Sequence, residues 1–215
     1  MPLFRPPRAF LKLMAHQLGA PSGFLGRIVA NKLNTGNYDW MVAAAGALEL
    51  SDGQRAADVG FGGGAGLGLL LSAVGPAGSV HGVDPSSSMV ERAGRTYASE
   101  VSSGRLEVHQ GRMEALPLAD GSVDGWMSLN TVYFVDDLST AFRELARVLA
   151  PSGRGVIGLG DPESMAGLPF TEHGFRLRPV TDVVAALEAV GLSVEVRPVD
   201  NDAHPFRLLV CEPRS

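Results

Sequence analysis

The sequence predicts an α/β protein: a doubly wound, mainly parallel seven-stranded sheet, with a helical cap before it and an antiparallel hairpin closing it. Three observations lead there. From residue 55 onward, short apolar runs alternate with helical stretches, a pattern that lays parallel strands under helices on both faces. A glycine-rich turn, Gly60-Phe61-Gly62-Gly63-Gly64, joins the first strand to the next helix. Finally, 215 residues with 45% hydrophobic and 19% charged composition suit one sizeable core and rule out a disordered chain.

Taken in order, Phe10, Leu11, Met14 and Leu18 recur at helical spacing and make one apolar stripe that ends at Gly19-Ala20-Pro21. A second helix is expected over 24–33 and a third from Asn37 or Tyr38 to Leu50, with Asn34-Thr35-Gly36-Asn37 as the turn between them. Residues 1–50 thus form the cap and 51–215 the sheet domain. After the turn Ser51-Asp52-Gly53, strands are expected at 55–59, 79–83, 106–109, 123–129 and 155–159. Helices fill the gaps near 65–74, 87–99, 138–149 and 179–190. Two consecutive strands, 193–199 and 206–211, then break the alternation and read as an antiparallel hairpin finishing the sheet.

Charge excludes several partners. The net charge of −5 divides into a head, residues 1–38, with five bases and no acid, and an acidic body. A sequence-independent nucleic-acid binder carries a broad basic surface, so with a pI near 5.5 no nucleic acid is expected as partner. The basic head reads as a solvated face, as an ionic complement to the acidic body, or as a guide for an acidic substrate. No run reaches the roughly 18 apolar residues of a membrane span, so no stable membrane insertion is expected. Lys12 and His16 interrupt any signal-peptide core, and the single cysteine, Cys211, has no partner for a disulfide. A cytoplasmic setting follows as the expectation. The five histidines lack spacing such as His-x-x-x-His, so no metal is predicted.

The stretch ADVGFGGGAGLGLLL at 57–71 carries the chemistry. Glycines at a strand-to-helix junction let the backbone approach a ligand and aim helix N–H groups at it. Gly60, Gly62 and Ala65 also satisfy the loose dinucleotide pattern, so glycine count alone does not choose a cofactor. Asp58, two residues before Gly60, argues for a cationic ligand over a pyrophosphate. Asp84, ending the second strand in Gly82-Val83-Asp84, is positioned to accept hydrogen bonds from ribose hydroxyls.

The spacing Asp58-x-Gly60-x-Gly62-x-Gly64 resembles the signature of class I S-adenosylmethionine-dependent methyltransferases. The block LPLADGSVDG followed by RVLAPSGR, within 109–159, is more specific than any glycine loop, and the resemblance covers about residues 53–212. It points to the small-molecule branch that includes quinone-ring and sterol-type enzymes. The head APSGFLGRIVANKLNTGN resembles a subgroup of bacterial members. The resemblance implies a Rossmann-like methyltransferase fold and S-adenosyl-L-methionine as cofactor. The implied cofactor site comprises Asp58, Gly60, Gly62, Gly64, Asp84 and Pro85. Asn130 and Thr131 fall where family members line the sulfonium, and Asn37 and Tyr38 where N-terminal segments fold over the cofactor. One departure stands out: the turn after the third strand usually reads Gly-Asp-Ala but here reads Gly111-Arg112-Met113, and Arg112 cannot accept a bond from adenine. That contact passes to the backbone near Met113, to Glu114, or to no residue at all.

The implied reaction moves a methyl group to an O, N or C atom of a small-molecule acceptor, apolar or anionic. No catalytic side chain is obligatory, because the sulfonium is already activated. A general base would help a phenol or an activated carbon. The candidates are Tyr133, after the fourth strand, and His173, in the long loop 161–179 expected to act as lid or substrate loop, with His204 behind them. His81 and His109 read as satisfied strand histidines. Two alternatives remain: an S-adenosylmethionine-binding cyclase or non-methylating protein on the same fold, and an NAD(P)-dependent oxidoreductase, which lacks its Tyr-x-x-x-Lys here. Sequence leaves the oligomeric state open, with a homodimer as candidate.

Overall fold

The computed structural model describes residues 36–169, 171–199 and 205–214. The two head helices expected before residue 35, His16 and His204 lie outside the described residues. The elements are α1 (Tyr38–Ala47), β1 (Arg55–Val59), α2 (Ala65–Ala73), β2 (Ser79–Asp84), α3 (Ser87–Thr96), α4 (Ala98–Ser102), β3 (Leu106–Gln110), β4 (Val123–Leu129), α5 (Leu138–Val148), β5 (Leu149–Gly160), α6 (Pro162–Ala166), α7 (Val180–Glu188), β6 (Leu192–Val199) and β7 (Phe206–Pro213). A 3-10 turn spans Val132–Phe134.

Seven strands form one sheet in the order β3-β2-β1-β4-β5-β7-β6. The first five pair in parallel, and β7 runs antiparallel to both β5 and β6. Side-chain alternation splits the core into two layers. Ala56, Val80, Met127, Val156 and Leu208 pack on one face with α1, α2 and α3. Their neighbours Ala57, Trp126, Ile157 and Leu209 pack on the other with Phe142 and Leu145 of α5 and Leu187 of α7. Two-sided burial explains why the strands read as apolar runs.

Three boundaries differ from the sequence reading. The helix expected over 87–99 breaks at Tyr97 (φ −110°, ψ 36°), whose hydroxyl donates to the Gly64 carbonyl at 2.8 Å. β5 starts at Leu149 and runs through Pro151-Ser152-Gly153 as a bulge: Val123 faces Leu149, but Gly125 already faces Arg154. The loop after β5 contains a short helix, α6, capped by Asp161, which accepts from Glu163 N and Ser164 N. The strand order reverses between β1 and β4, so the crevice at the carboxyl ends of those strands is where such a sheet binds its ligand.

Candidate active site

β1 ends at Val59, and the chain turns through Gly60 (φ +80°), Gly62 (φ +49°) and Gly64 (φ +85°) into α2. A side chain at Gly60 would run into Thr131, so the glycine is required for both its backbone angle and its closeness to the β4 end. The turn is tied to β2 by Gly60 N–H, which donates to the Val83 carbonyl at 2.7 Å. Gly62 N–H donates to Asp84 Oδ2 at 2.9 Å, and Ser86 N–H to Asp84 Oδ1 at 2.8 Å. Burial pushes the Asp84 carboxyl up, and these two backbone donors pull it back.

The carboxyl ends of the strands open into a cavity of about 530 Å³, a size that holds a nucleoside ligand beside a small acceptor. Gly60, Gly62, Asp84, Pro85, Arg112 and Met113 line it. Asn130 and Thr131 line it too, as does Asn37, the residue that precedes α1. Asn130 sits in the left-handed region (φ +57°), its N–H held by the Gly158 carbonyl at 2.8 Å, which turns the chain sharply at the mouth.

Four residues expected at the site do not line it. Asp58 is 4% exposed and points under α2, where a side chain at Gly66 would collide with its carboxylate. Burial, then repulsion from Asp84, pushes its carboxyl up to about 8. Gly64 faces Tyr97 instead of the cavity, and Tyr38 is exposed to solvent on α1. His173 also stands apart from the lining residues.

Tyr133 lines the cavity, but its hydroxyl is committed. Gly160 N–H donates to it at 2.7 Å, and burial pushes the phenol far above its ordinary range. Arg112 is mostly exposed, with its guanidinium 3.9 Å from Glu114.

The sequence reading missed the apolar half of the chamber. Trp40 and Met41 follow Asn37 at i+3 and i+4, a helical stripe that could have flagged them. Phe134, Met165 and Phe175 complete the wall. Trp40 stacks on Phe206 with ring centroids 4.2 Å apart and planes 2° from parallel, which locks α1 to β7. Asp161 adds a carboxylate to the same wall, 3.5 Å from Arg207.

The residues fit a nucleoside with a cationic centre. Asp84 keeps lone pairs free beyond its two backbone donors, enough for a ribose diol. Three carboxylates, Asp84, Glu114 and Asp161, against one cation, Arg112, leave the lining net negative, which favours a cation over a pyrophosphate.

Residues 57–157 match the family model described as a methyltransferase domain. The chain is 34% identical over 107 residues to the O-methyltransferase resE of Aspergillus sclerotiorum, covering 50% of this chain and 40% of that protein. It is 30% identical over 135 residues to the ubiquinone/menaquinone biosynthesis C-methyltransferase UbiE of Geotalea daltonii, covering 62% and 56%. A crystal structure of a SAM dependent methyltransferase from Aquifex aeolicus has the same fold, with a TM-score of 0.67 at 23% identity over 96% of this chain and 99% of that one. The chain spans about half the length of the curated relatives it matches.

Proposed function

We propose that this chain, which carries a class I methyltransferase domain, moves the methyl group of S-adenosylmethionine to an O, N or C atom of a small, largely apolar acceptor. One observation carries the reading: a glycine turn and the Asp84 carboxylate share one cavity with an aromatic, methionine-rich chamber. Asp84 binds the ribose hydroxyls, and the Gly60–Gly63 turn lies against the amino-acid end. Backbone groups at Met113, with Glu114, take the adenine edge that Arg112 cannot serve. When bound, the cofactor supplies an activated methyl group on a sulfonium. The protein then has to hold the acceptor in line and exclude water.

The chamber walls suit that task. Trp40, Met41, Phe134, Met165 and Phe175 desolvate an apolar acceptor and orient it toward Asn130 and Thr131. The base candidates of the sequence reading give way to a different residue. Tyr133 is occupied by Gly160 and His173 stands off the lining, so an acceptor hydroxyl is best met by Asp161. With acceptor and cofactor bound, its carboxylate would accept the hydroxyl proton as the oxygen takes the methyl group and S-adenosylhomocysteine leaves.

Among the described residues no helix is long and apolar enough to cross a membrane. The cytoplasmic setting and bacterial source suggested by the sequence, and a homodimer, belong to this reading. A light-scattering mass of about twice 22.5 kDa is the expected outcome for the dimer, and a mass of 22.5 kDa would overturn it.

Isothermal titration with S-adenosylmethionine and S-adenosylhomocysteine tests the site. Binding in the micromolar range is expected, weakened at least tenfold in Asp84→Ala, because a charge-assisted hydrogen bond contributes about 1.5–3 kcal/mol. Failure of both ligands to bind overturns the reading. Release of S-adenosylhomocysteine with phenolic acceptors then separates methyl transfer from a cyclase that binds the cofactor without consuming it.

A further inference from the structure

On the sheet face away from α2 and α3, β2 and β3 bring together three side chains that the methyl-transfer site does not use. His81 is paired in register with Glu107, and His109 follows Glu107 by two residues on the same face of β3. The carboxylate lies between the rings: Glu107 Oε2 is 3.8 Å from His81 Nδ1 and 3.5 Å from His109 Nε2. One ligand atom from each residue lies within 4.8 Å of the others. Both of these ring nitrogens are buried and lack a hydrogen-bond partner among the described residues.

Two buried imidazole nitrogens left unpaired around one carboxylate are costly as a purely structural arrangement. They are well suited to a metal. From bonds of about 2.0–2.2 Å to N and O, tetrahedral geometry sets ligand atoms roughly 3.4 Å apart, so small side-chain rotations close the set. Two imidazoles and one carboxylate select a borderline transition ion over Mg2+ or Ca2+, which prefer oxygen ligands. The nearby cation, Arg55, is paired with Asp124 at 2.9 Å.

We propose that His81, Glu107 and His109 form a divalent transition-metal site of the Zn2+ type that fastens the edge strand β3 to β2. Solvent fills the fourth position. The site lies next to the cofactor end of the sheet: Gln110 pairs with Asp84, and Gly111 N–H donates to the Asp84 carbonyl at 3.1 Å. Metal binding therefore stiffens the strand ends that hold Asp84 and the 111–114 turn. The inference is independent of the methyl-transfer reading.

The test uses the full chain without an affinity tag. Titration with Zn2+ is expected to give one ion per chain at micromolar affinity or tighter, and Co2+ to give visible d–d absorption at the same stoichiometry. Glu107→Gln, at an exposed carboxylate, and His109→Asn are each expected to weaken Zn2+ binding at least tenfold and abolish the Co2+ bands, with circular dichroism confirming that both fold. Absence of saturable Zn2+ binding overturns the proposal. So does saturable binding that both folded variants retain unchanged.

Discussion

Asp84 ends β2 and Asp58 is the last residue but one of the neighbouring parallel strand β1, yet they face different surroundings. Asp84 is held by Gly62 and Ser86 N–H groups at the cavity, whereas Asp58 is sealed beneath α2 against Gly66. One carboxylate can meet a ligand, and the other is packed away beneath α2. A similar division applies to Tyr133, whose hydroxyl receives the Gly160 N–H. In Tyr133→Phe that buried donor loses its partner, so stability should fall by about 1–3 kcal/mol in chemical denaturation. Under the proposed function the pH profile of methyl transfer should be unchanged. A loss of turnover beyond a hundredfold at full cofactor binding would return Tyr133 to the role of base. Cys211, 0% exposed and with its thiol pushed up to about 12 by burial, should resist thiol reagents until the protein unfolds.

Elements are fixed by a few tethers. The crossover from β3 to β4 is clamped to α5 by Arg147, which donates to the Leu116 and Leu118 carbonyls and to Glu144 and Asp120. Glu144 in turn accepts from Leu116 N–H at 2.9 Å. Arg147→Ala should release this segment, seen as at least tenfold faster hydrogen exchange over 111–121 with β1 and β4 unaffected. The glycine turn is constrained differently. Gly60→Ala places a side chain at φ +80° and into Thr131, so cofactor affinity should fall at least tenfold in titration and stability by about 1–3 kcal/mol. Thr131→Ala in the same chain relieves the collision but not the backbone strain, so it should recover only part of the loss.

At the scale of the whole molecule, the buried Asp58 carboxyl links stability to pH. Its folded value is raised to about 8 from an ordinary 3.8, so between those values the folded chain retains a proton that the unfolded chain has released. This contribution is fully present below about pH 4 and is lost as pH rises through about 8. Asp58→Asn should flatten that decline when unfolding free energies of variant and wild type are compared from pH 5 to 8. The alternation of strands and helices, the terminal hairpin and the glycine turn are all legible along the chain. Those signals are local: a repeat of two or 3.6 residues, or glycine where other residues are strained. Which residues share a chamber depends on packing between distant segments. Trp40 meets Phe206 across most of the chain, and His81 meets Glu107 and His109 through strand register. Asp58 turns from the cavity because close packing of α2 on the sheet fixes the direction of every side chain at the strand ends, and spacing along the chain carries no record of that packing.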